Sequence, residues 1–128
     1  MKILLDTHIF LWFIDGNSKL SSNARSMIEN TSNERWLSVA SMWEMAIKYS
    51  IGRLQFAQPF HVLIPQQLIQ NNISLLGITF EHTALIATLP FHHKDPFDRL
   101  IIAQSIVDRI PVVSVDPVFT AYGVTRLC

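Results

Sequence analysis

The chain has 128 residues, which is the usual length of one domain and is enough to bury a substantial core. Ten basic and ten acidic residues give a formal net charge of zero, which argues against a protein that coats nucleic acid non-specifically, because that role needs a cationic surface. The hydrophobic fraction is 49%, high enough to indicate either a well-filled core or a face that binds a partner or a second copy.

Neither disulfides nor targeting segments are predicted. The only cysteine, Cys128, excludes an intrachain disulfide and fits a reducing cytoplasm. Asp6 and His8 interrupt the apolar start of the chain, and no small-residue cleavage site follows, so a signal peptide is not predicted. No apolar run approaches the roughly 18 residues of a membrane span. We therefore expect a cytoplasmic protein that makes no contact with a membrane.

Short apolar runs alternate along the chain with longer amphipathic segments. The predicted strands are residues 2–5, 35–39, 73–76 and 112–115, with a short fifth near Val124. The predicted helices are residues 7–14, about 22–30, 41–50, 60–70, 81–89 and 96–108. No repeat, low-complexity tract or linker divides the chain. This alternation predicts one α/β domain over residues 1–128, with a mainly parallel central sheet of four to five strands and helices on both faces.

Four acidic residues are placed by this topology at one edge of the sheet. Asp6 directly follows the first strand, and Asp116 directly follows the fourth. Glu44 and Asp98 lie in the first turns of two predicted helices. Ligands of such folds bind beyond the carboxyl ends of the strands, so these carboxylates are expected to converge. Converging carboxylates repel one another unless a hard cation such as Mg²⁺ joins them, and such a cation can activate water for phosphodiester hydrolysis.

Three of the four acids also have a purely structural explanation. Ser41 and Glu44 match a capping box, and Glu44 with Lys48 forms an i, i+4 ion pair. Asp95 is a natural N-cap for a helix that opens with proline, and Asp98 then lies favourably near the positive end of its dipole. The third of these, the acid that follows the fourth strand, precedes a proline and can start a turn. The exception is the acid after the first strand, which has no capping role of this kind.

Four segments of the chain carry recognisable motifs in a fixed order. They are residues 4–8 (Leu-Leu-Asp-Thr-His), residues 41–48, residues 93–104 with the run Asp-Pro-Phe-Asp-Arg, and residues 113–123 beginning Val-Ser-Val-Asp. Together they resemble the PIN domain family, and most closely the VapC-type toxins of bacterial toxin–antitoxin pairs. The Asp-Pro-Phe-Asp-Arg run is the most specific part of the resemblance.

The resemblance implies an endoribonuclease that depends on Mg²⁺ or Mn²⁺ and cuts RNA with a metal-activated water. The residues that match the family's catalytic and metal-binding acids are Asp6, Glu44, Asp98 and Asp116. Thr7 and Ser114 match polar positions that accompany the acids, and Asp95 is a further acid with a capping or supporting role. The resemblance also implies a homodimer and a cognate antitoxin, encoded nearby, that blocks the cleft.

Basic residues near the acids in sequence are candidates for contacts with RNA phosphates. They are Lys48, Lys94, Arg99 and also Arg53. The alternative for each is an ordinary solvated surface charge, and Arg99 is favoured for a phosphate contact because it adjoins Asp98.

Histidine and tryptophan side chains are given no role in the chemistry. His92 and His93 are adjacent in a predicted loop, where we expect both to face solvent instead of binding zinc or transferring protons. Trp12, Trp36 and Trp43 are predicted to pack in the core or in a dimer interface and not to stack on bases.

Two other functions compete with the nuclease. An aspartyl-phosphate phosphatase also places its nucleophile after the first strand, but it usually needs a second acid two residues later, where this chain has His8. The stronger alternative is a non-catalytic module of the same fold that binds protein or nucleic acid. Retention of all four acids argues against that loss of activity, and a metal titration distinguishes the two.

Overall fold

A computed structural model describes residues 1–128 and has a parallel sheet at its centre. The strands are β1 (Lys2–Leu5), β2 (Glu34–Ser38), β3 (Ile73–Leu76), β4 (Val112–Val113) and β5 (Arg126–Leu127). They pair in the order β3-β2-β1-β4-β5, and every pair is parallel. The chain first builds outward from β1 to β3 and then crosses back to place β4 on the other side of β1. The strand order therefore reverses between β1 and β4, which is where folds of this kind bind ligands.

Six helices cover both faces of the sheet, as the sequence predicts. They are α1 (Thr7–Asp15), α2 (Ser22–Glu29), α3 (Val39–Ser50), α4 (Phe60–Gln70), α5 (Phe80–Ile86) and α6 (Pro96–Asp108), followed by a short 3₁₀ helix (Pro117–Tyr122). Successive side chains of a strand point to opposite faces, so Ile3 and Leu5 join the core formed with α1 to α4. Leu4 joins the second core with α6 and the 3₁₀ helix. Burial on both faces explains why the last three residues of β1 are all apolar.

The start of α3 differs from the sequence prediction by two residues. Ser38, the last residue of β2, caps the helix, because its Oγ accepts a hydrogen bond of 3.0 Å from the amide of Ala40. The predicted capping box between Ser41 and Glu44 is therefore wrong. Glu44 lies in the second turn of α3, and its carboxylate is free for contacts outside the helix.

One side of α3 leaves a row of apolar side chains in solvent. Val39, Trp43, Ile47 and Ile51 lie four residues apart and are 37%, 59%, 38% and 62% exposed. We call these residues the α3 stripe. Trp43 is therefore not part of the core and contacts Phe97 at a ring-centroid distance of 5.1 Å. The buried side of the helix carries Ser41, Glu44 and Met45 instead, so two of these three side chains are polar where a core would have apolar ones.

The fourth strand is shorter than the predicted range of 112–115. β4 ends at Val113; the amide of Ser114 still donates to the carbonyl of Leu127 at 2.9 Å, and the side chain of Ser114 and the residues after it form polar contacts. The amide of Asp116 donates to Oγ of Ser114 at 3.0 Å, and the Asp116 carboxylate caps the 3₁₀ helix by accepting from the amide of Val118 at 2.9 Å. No helix has both the length and the apolarity needed to cross a membrane.

Candidate active site

Asp6 lies at the reversal point of the sheet, immediately after β1. Its amide donates to the carbonyl of Val113 at 3.0 Å, which continues the ladder to β4 by one residue. Its side chain makes no capping bond to α1, in agreement with the absence of a structural role for this acid in the sequence. The buried Oδ2 accepts a hydrogen bond of 2.8 Å from Oγ of Ser114, which follows β4. The buried Oδ1 has no partner at all.

Glu44 reaches the same point from α3. Its Oε1 accepts a hydrogen bond of 2.9 Å from Oγ1 of Thr7, whose hydroxyl also lies 2.9 Å from Oγ of Ser41. Its Oε2 lies 2.8 Å from Nζ of Lys48, so the predicted i, i+4 ion pair is present. Glu44 and Thr7 are both buried, and their contact ties the first turn of α1 to α3.

Asp98 is placed by the start of α6. Asp95 is the N-cap, and its Oδ1 accepts hydrogen bonds of 2.8 Å from the amide of Phe97 and 3.1 Å from the amide of Asp98. Proline at the first helical position fixes the backbone there. The predicted capping role of Asp95 is thus present, and it leaves the Asp98 side chain free to point toward the ends of β1 and β4.

The ionisation of two acids shows how crowded this site is. Burial first, and then the neighbouring charges of Asp6, Asp95, Glu44 and Asp116, together raise the pKa of Asp98 from an ordinary value of 3.8 to about 8. Burial also raises the pKa of Asp6, although the hydrogen bond from Ser114 opposes the change. The pKa of Asp98 thus responds to the charges of four other carboxylates, as expected when carboxylates from distant parts of the chain converge.

His93, which the sequence predicts to face solvent, is the fifth side chain of the site. Nε2 of His93 lies 3.0 Å from Oδ2 of Asp98 and 3.0 Å from Oδ2 of Asp116, and the second contact is a hydrogen bond. The prediction that His93 faces solvent is wrong, whereas His92 is exposed as expected. No pattern in the sequence distinguishes the two, because the loop conformation alone decides which ring turns inward.

The donor set fits a hard divalent cation. All four acids supply oxygen, which Mg²⁺ and Mn²⁺ prefer over nitrogen and sulfur. Oδ1 of Asp6 is a buried oxygen without any hydrogen-bond donor, an arrangement that is costly unless another group binds it. The raised pKa values of Asp6 and Asp98 point the same way, because a cation restores the charged form that burial disfavours.

Comparison with known proteins settles the family. The family model described as PIN domain matches residues 3–124. The chain belongs to the PIN domain family. Ribonuclease VapC22 of Mycobacterium tuberculosis is 33% identical to this PIN domain over 105 residues, which cover 81% of this chain and 78% of VapC22. Ribonuclease VapC16 of the same organism is 32% identical over 63 residues, which cover 49% of this chain and 45% of VapC16.

Solved structures show the same fold. VapBC2 from Rickettsia felis, bound to a DNA fragment from its promoter, superimposes with a TM-score of 0.72 at 14% identity, covering 99% of this PIN domain and 98% of the solved chain. FitAB bound to the IR36 DNA fragment superimposes with a TM-score of 0.67 at 15% identity, covering 98% and 93%. The predicted α/β fold and the family resemblance are both confirmed.

The structure corrects the role expected for Arg99. This side chain is 5% exposed, and its guanidinium donates to four backbone carbonyls, those of Ile86, Leu89, Pro90 and His93, at 3.0 to 3.3 Å. Donors that are engaged inside the protein are not available to an RNA phosphate. In this PIN domain Arg99 instead fixes the loop that precedes α6 and carries His93.

The other basic candidates lie closer to solvent. Lys94 and Arg53 are exposed, and Lys48 is half-buried beside Glu44. Lys48 and Arg53 also line a groove of about 640 Å³; none of the four acids lines it, and the ion pair of Lys48 connects it to Glu44. Its other walls include His8, Trp12 and Phe56. The groove therefore combines mostly apolar walls with two basic side chains and one acidic side chain, Asp15.

Proposed function

We propose that this PIN domain is the ribonuclease toxin of a toxin–antitoxin pair and hydrolyses RNA phosphodiester bonds with Mg²⁺ or Mn²⁺. The observation that carries the proposal is the buried, unpartnered Oδ1 of Asp6 among three further acids. The relatives named ribonuclease support RNA as the substrate. Phosphodiester hydrolysis is also the chemistry that a cation held by carboxylates serves best.

The residues that would hold the cation are Asp6, Glu44, Asp98 and Asp116. A divalent ion bound there supplies a water of lowered pKa and positive charge beside the scissile phosphate. The protein's own contribution is to orient the carboxylates before the ion arrives.

That orientation comes from donors on neighbouring elements. Ser114 orients the carboxylate of Asp6, and Thr7 orients that of Glu44. Because these donors are uncharged hydroxyls, they fix the geometry and leave the negative charge for the cation.

We assign contacts with RNA phosphates to the exposed cations around the site. Lys94 lies on the loop before α6, and Arg53 lies on the segment after α3. Lys48 offers positive charge at the mouth of the groove, although part of that charge is neutralised by Glu44. Such contacts position the RNA strand and do not read its sequence.

A metal titration combined with RNA cleavage tests the proposal. Wild-type protein should bind Mn²⁺ in calorimetry and cut total bacterial RNA, EDTA should stop the reaction, and Mg²⁺ or Mn²⁺ should restore it. Asp6→Asn should abolish both Mn²⁺ binding and cleavage. Glu29→Gln, which changes an exposed carboxylate of a surface ion pair on α2, is the matched control and should leave both unchanged.

The alternative of a non-catalytic binding module makes the opposite prediction. Such a module would bind no Mn²⁺ with site-specific affinity and would leave RNA intact at every metal concentration. RNA cleavage that persists in Asp6→Asn would also remove the acids from the reaction and overturn the proposal.

We further propose that a cognate antitoxin occupies the groove beside the acids. The solved VapBC2 and FitAB complexes support a partner of this kind, and the apolar walls of the groove suit an amphipathic protein segment. Co-expression with the short reading frame expected upstream should give a complex that does not cut RNA. Ala57→Arg, which places a bulky side chain in the groove, should weaken that complex, whereas Ile69→Arg on the exposed side of α4 should not. Equal binding by both variants would place the partner elsewhere.

The homodimer implied by the resemblance is proposed to form through the α3 stripe. Four apolar side chains in a row on one helix are a common feature of interfaces between protein chains. Wild-type protein should have the mass of two chains in light scattering. Trp43→Glu should give one chain, whereas Ile69→Glu, at an even more exposed position on α4, should remain a dimer. A dimer that survives Trp43→Glu would exclude this interface.

A further inference from the structure

His93 is held at several points before any ligand binds. Its amide donates to Oη of Tyr122 at 2.8 Å, and its carbonyl accepts from Nη1 of Arg99 at 3.3 Å. Its ring lies edge-on to Phe119 with the ring centroids 6.2 Å apart. A loop residue fixed at its backbone and at its ring is a rigid part of the site and not a surface side chain that has folded inward.

The hydrogen bonds of the ring decide which nitrogen carries the proton. Nδ1 of His93 accepts from the amide of Asp95 at 3.2 Å, so Nδ1 presents its lone pair. In the neutral ring the proton is therefore on Nε2. That nitrogen faces Oδ2 of Asp116 and Oδ2 of Asp98, both at 3.0 Å. A protonated Nε2 is a hydrogen-bond donor and cannot be a metal ligand at the same time.

The two carboxylates need such a donor because nothing else joins them. Asp98 is in the first turn of α6, and Asp116 precedes the 3₁₀ helix, 18 residues further along the chain. Oδ1 of Asp116 is already engaged by the amide of Val118. When both carboxylates are ionised, as binding of a cation requires, like charges would turn the side chains apart without a donor between the two Oδ2 atoms.

We propose that His93 is a positioning residue of the metal centre, which holds Asp116 by donating from Nε2 and keeps Asp98 beside it, 3.0 Å from the same nitrogen. This inference rests on the proposed function, since it concerns the same site, but its test does not require RNA. Groups that orient metal ligands from outside the coordination shell typically change metal affinity by about 10- to 100-fold when they are removed. The competing assignment, in which Nε2 itself binds the metal, requires the opposite ring tautomer.

Two substitutions separate the donor from the rest of the ring. His93→Gln keeps an amide nitrogen at the distance of Nε2, whereas His93→Asn reaches only as far as Nδ1. His93→Asn should therefore weaken Mn²⁺ binding about tenfold, and His93→Gln should stay within a factor of about three. RNA cleavage by His93→Asn should recover at saturating Mn²⁺, because the ligands themselves are still present. His92→Asn, at the exposed neighbouring position, is the control and should behave as wild type.

The tautomer provides a measurement that needs neither RNA nor metal. In ¹⁵N NMR of the metal-free protein, the neutral ring of His93 should carry its proton on Nε2, and addition of diamagnetic Mg²⁺ should not move it. Thermal melting of all three variants controls for the fold.

Three results would overturn the proposal: a proton on Nδ1, wild-type Mn²⁺ affinity in His93→Asn, or equal losses in His93→Asn and His93→Gln. Absence of Mn²⁺ binding in the wild-type protein would instead refute the proposed function, and the tautomer would still decide whether His93 is a donor.

Discussion

Replacing Asp98 with asparagine should stabilise the metal-free protein while it removes activity. Burial and neighbouring carboxylates raise the pKa of Asp98 to about 8 in the folded chain, against an ordinary value of 3.8. At a pH between these two pKa values, the Asp98 carboxyl is deprotonated in the unfolded chain but still protonated in the folded chain. The free energy of unfolding therefore falls as pH rises through this window, and Asp98 destabilises the fold most above it.

The size of the effect follows from the same pKa. At pH 7 the difference between the two states corresponds to an upper limit of about 4 kcal/mol, since each pH unit contributes about 1.4 kcal/mol. The Asp98 side chain is 20% exposed, so water solvates part of the charge and reduces this limit. Asparagine has nearly the same shape and no charge. We expect Asp98→Asn to raise the free energy of unfolding at pH 7 by about 2 to 3 kcal/mol and to change it little at pH 4.

Urea denaturation in EDTA at several pH values between 4 and 8 measures the free energies of unfolding of the wild-type protein and of Asp98→Asn. The wild-type protein should lose stability across the window, whereas Asp98→Asn should show a flatter pH dependence. Mn²⁺ at about 100 times its dissociation constant should stabilise the wild-type protein by about 2.7 kcal/mol and the variant much less. Glu29→Gln should follow the wild-type curve, because that carboxylate is exposed on α2.

The reasoning fails if Asp98→Asn is less stable than wild type in EDTA at pH 7, or if both proteins show the same pH dependence. Either result would mean that ionisation of the Asp98 carboxyl does not lower the free energy of unfolding. The four acids would then not be crowded enough to need a cation.

Three further changes follow from contacts around the site. Asp95→Ala should cost about 1 kcal/mol in urea denaturation through loss of the α6 cap, whereas Asp95→Asn should cost much less because asparagine caps equally well. Arg99→Lys should lower stability by about 2 to 3 kcal/mol in the same assay, because one ammonium cannot serve the carbonyls that the buried guanidinium binds. Ser114→Ala should raise the pKa of Asp6 further, so calorimetry should show Mn²⁺ binding that is weakened more at pH 6 than at pH 8.

Much of the fold follows from periodicity and end signals that act locally. The bounds of β1, β3, α4 and α6 are as predicted, because apolar runs, a proline and an aspartate cap mark them in the sequence. α3 begins earlier than predicted because Ser38 and Ser41 are equally good caps in sequence, and only the end of β2 selects the first. Apolar character predicts that Trp43 packs in the core or in a dimer interface; the core is excluded, because the side of α3 facing the protein is occupied by Ser41 and Glu44.

Three acids of the candidate site, Asp6, Asp98 and Asp116, are predictable in position because each lies at the end of a regular element, whereas Glu44 lies within α3. Asp6 and Asp98 occupy positions where a strand ends or a helix begins, and those positions are set by hydrogen bonding within a few residues. His93 was missed because its position depends on a loop held by distant groups, namely Arg99 and Tyr122. The expected phosphate contact of Arg99 was wrong for the same reason, since the loop carbonyls that bind it are not visible as a pattern.

The contacts around the acids favour the proposed binding of a small divalent ion over the binding of a protein cation. Asp6 and Asp116 each have an oxygen bonded to an uncharged or ring donor, Ser114 and His93, so their directions are fixed while little positive charge is added. Of the groups that touch the acids, Lys48 is the one that brings a permanent positive charge, and it neutralises Glu44 alone. The remaining charge is concentrated around the unpartnered Oδ1 of Asp6, which is buried too deeply for a long side chain to reach from solvent. An ion that carries two charges in the volume of one atom meets that requirement, because it can approach several fixed oxygens at once.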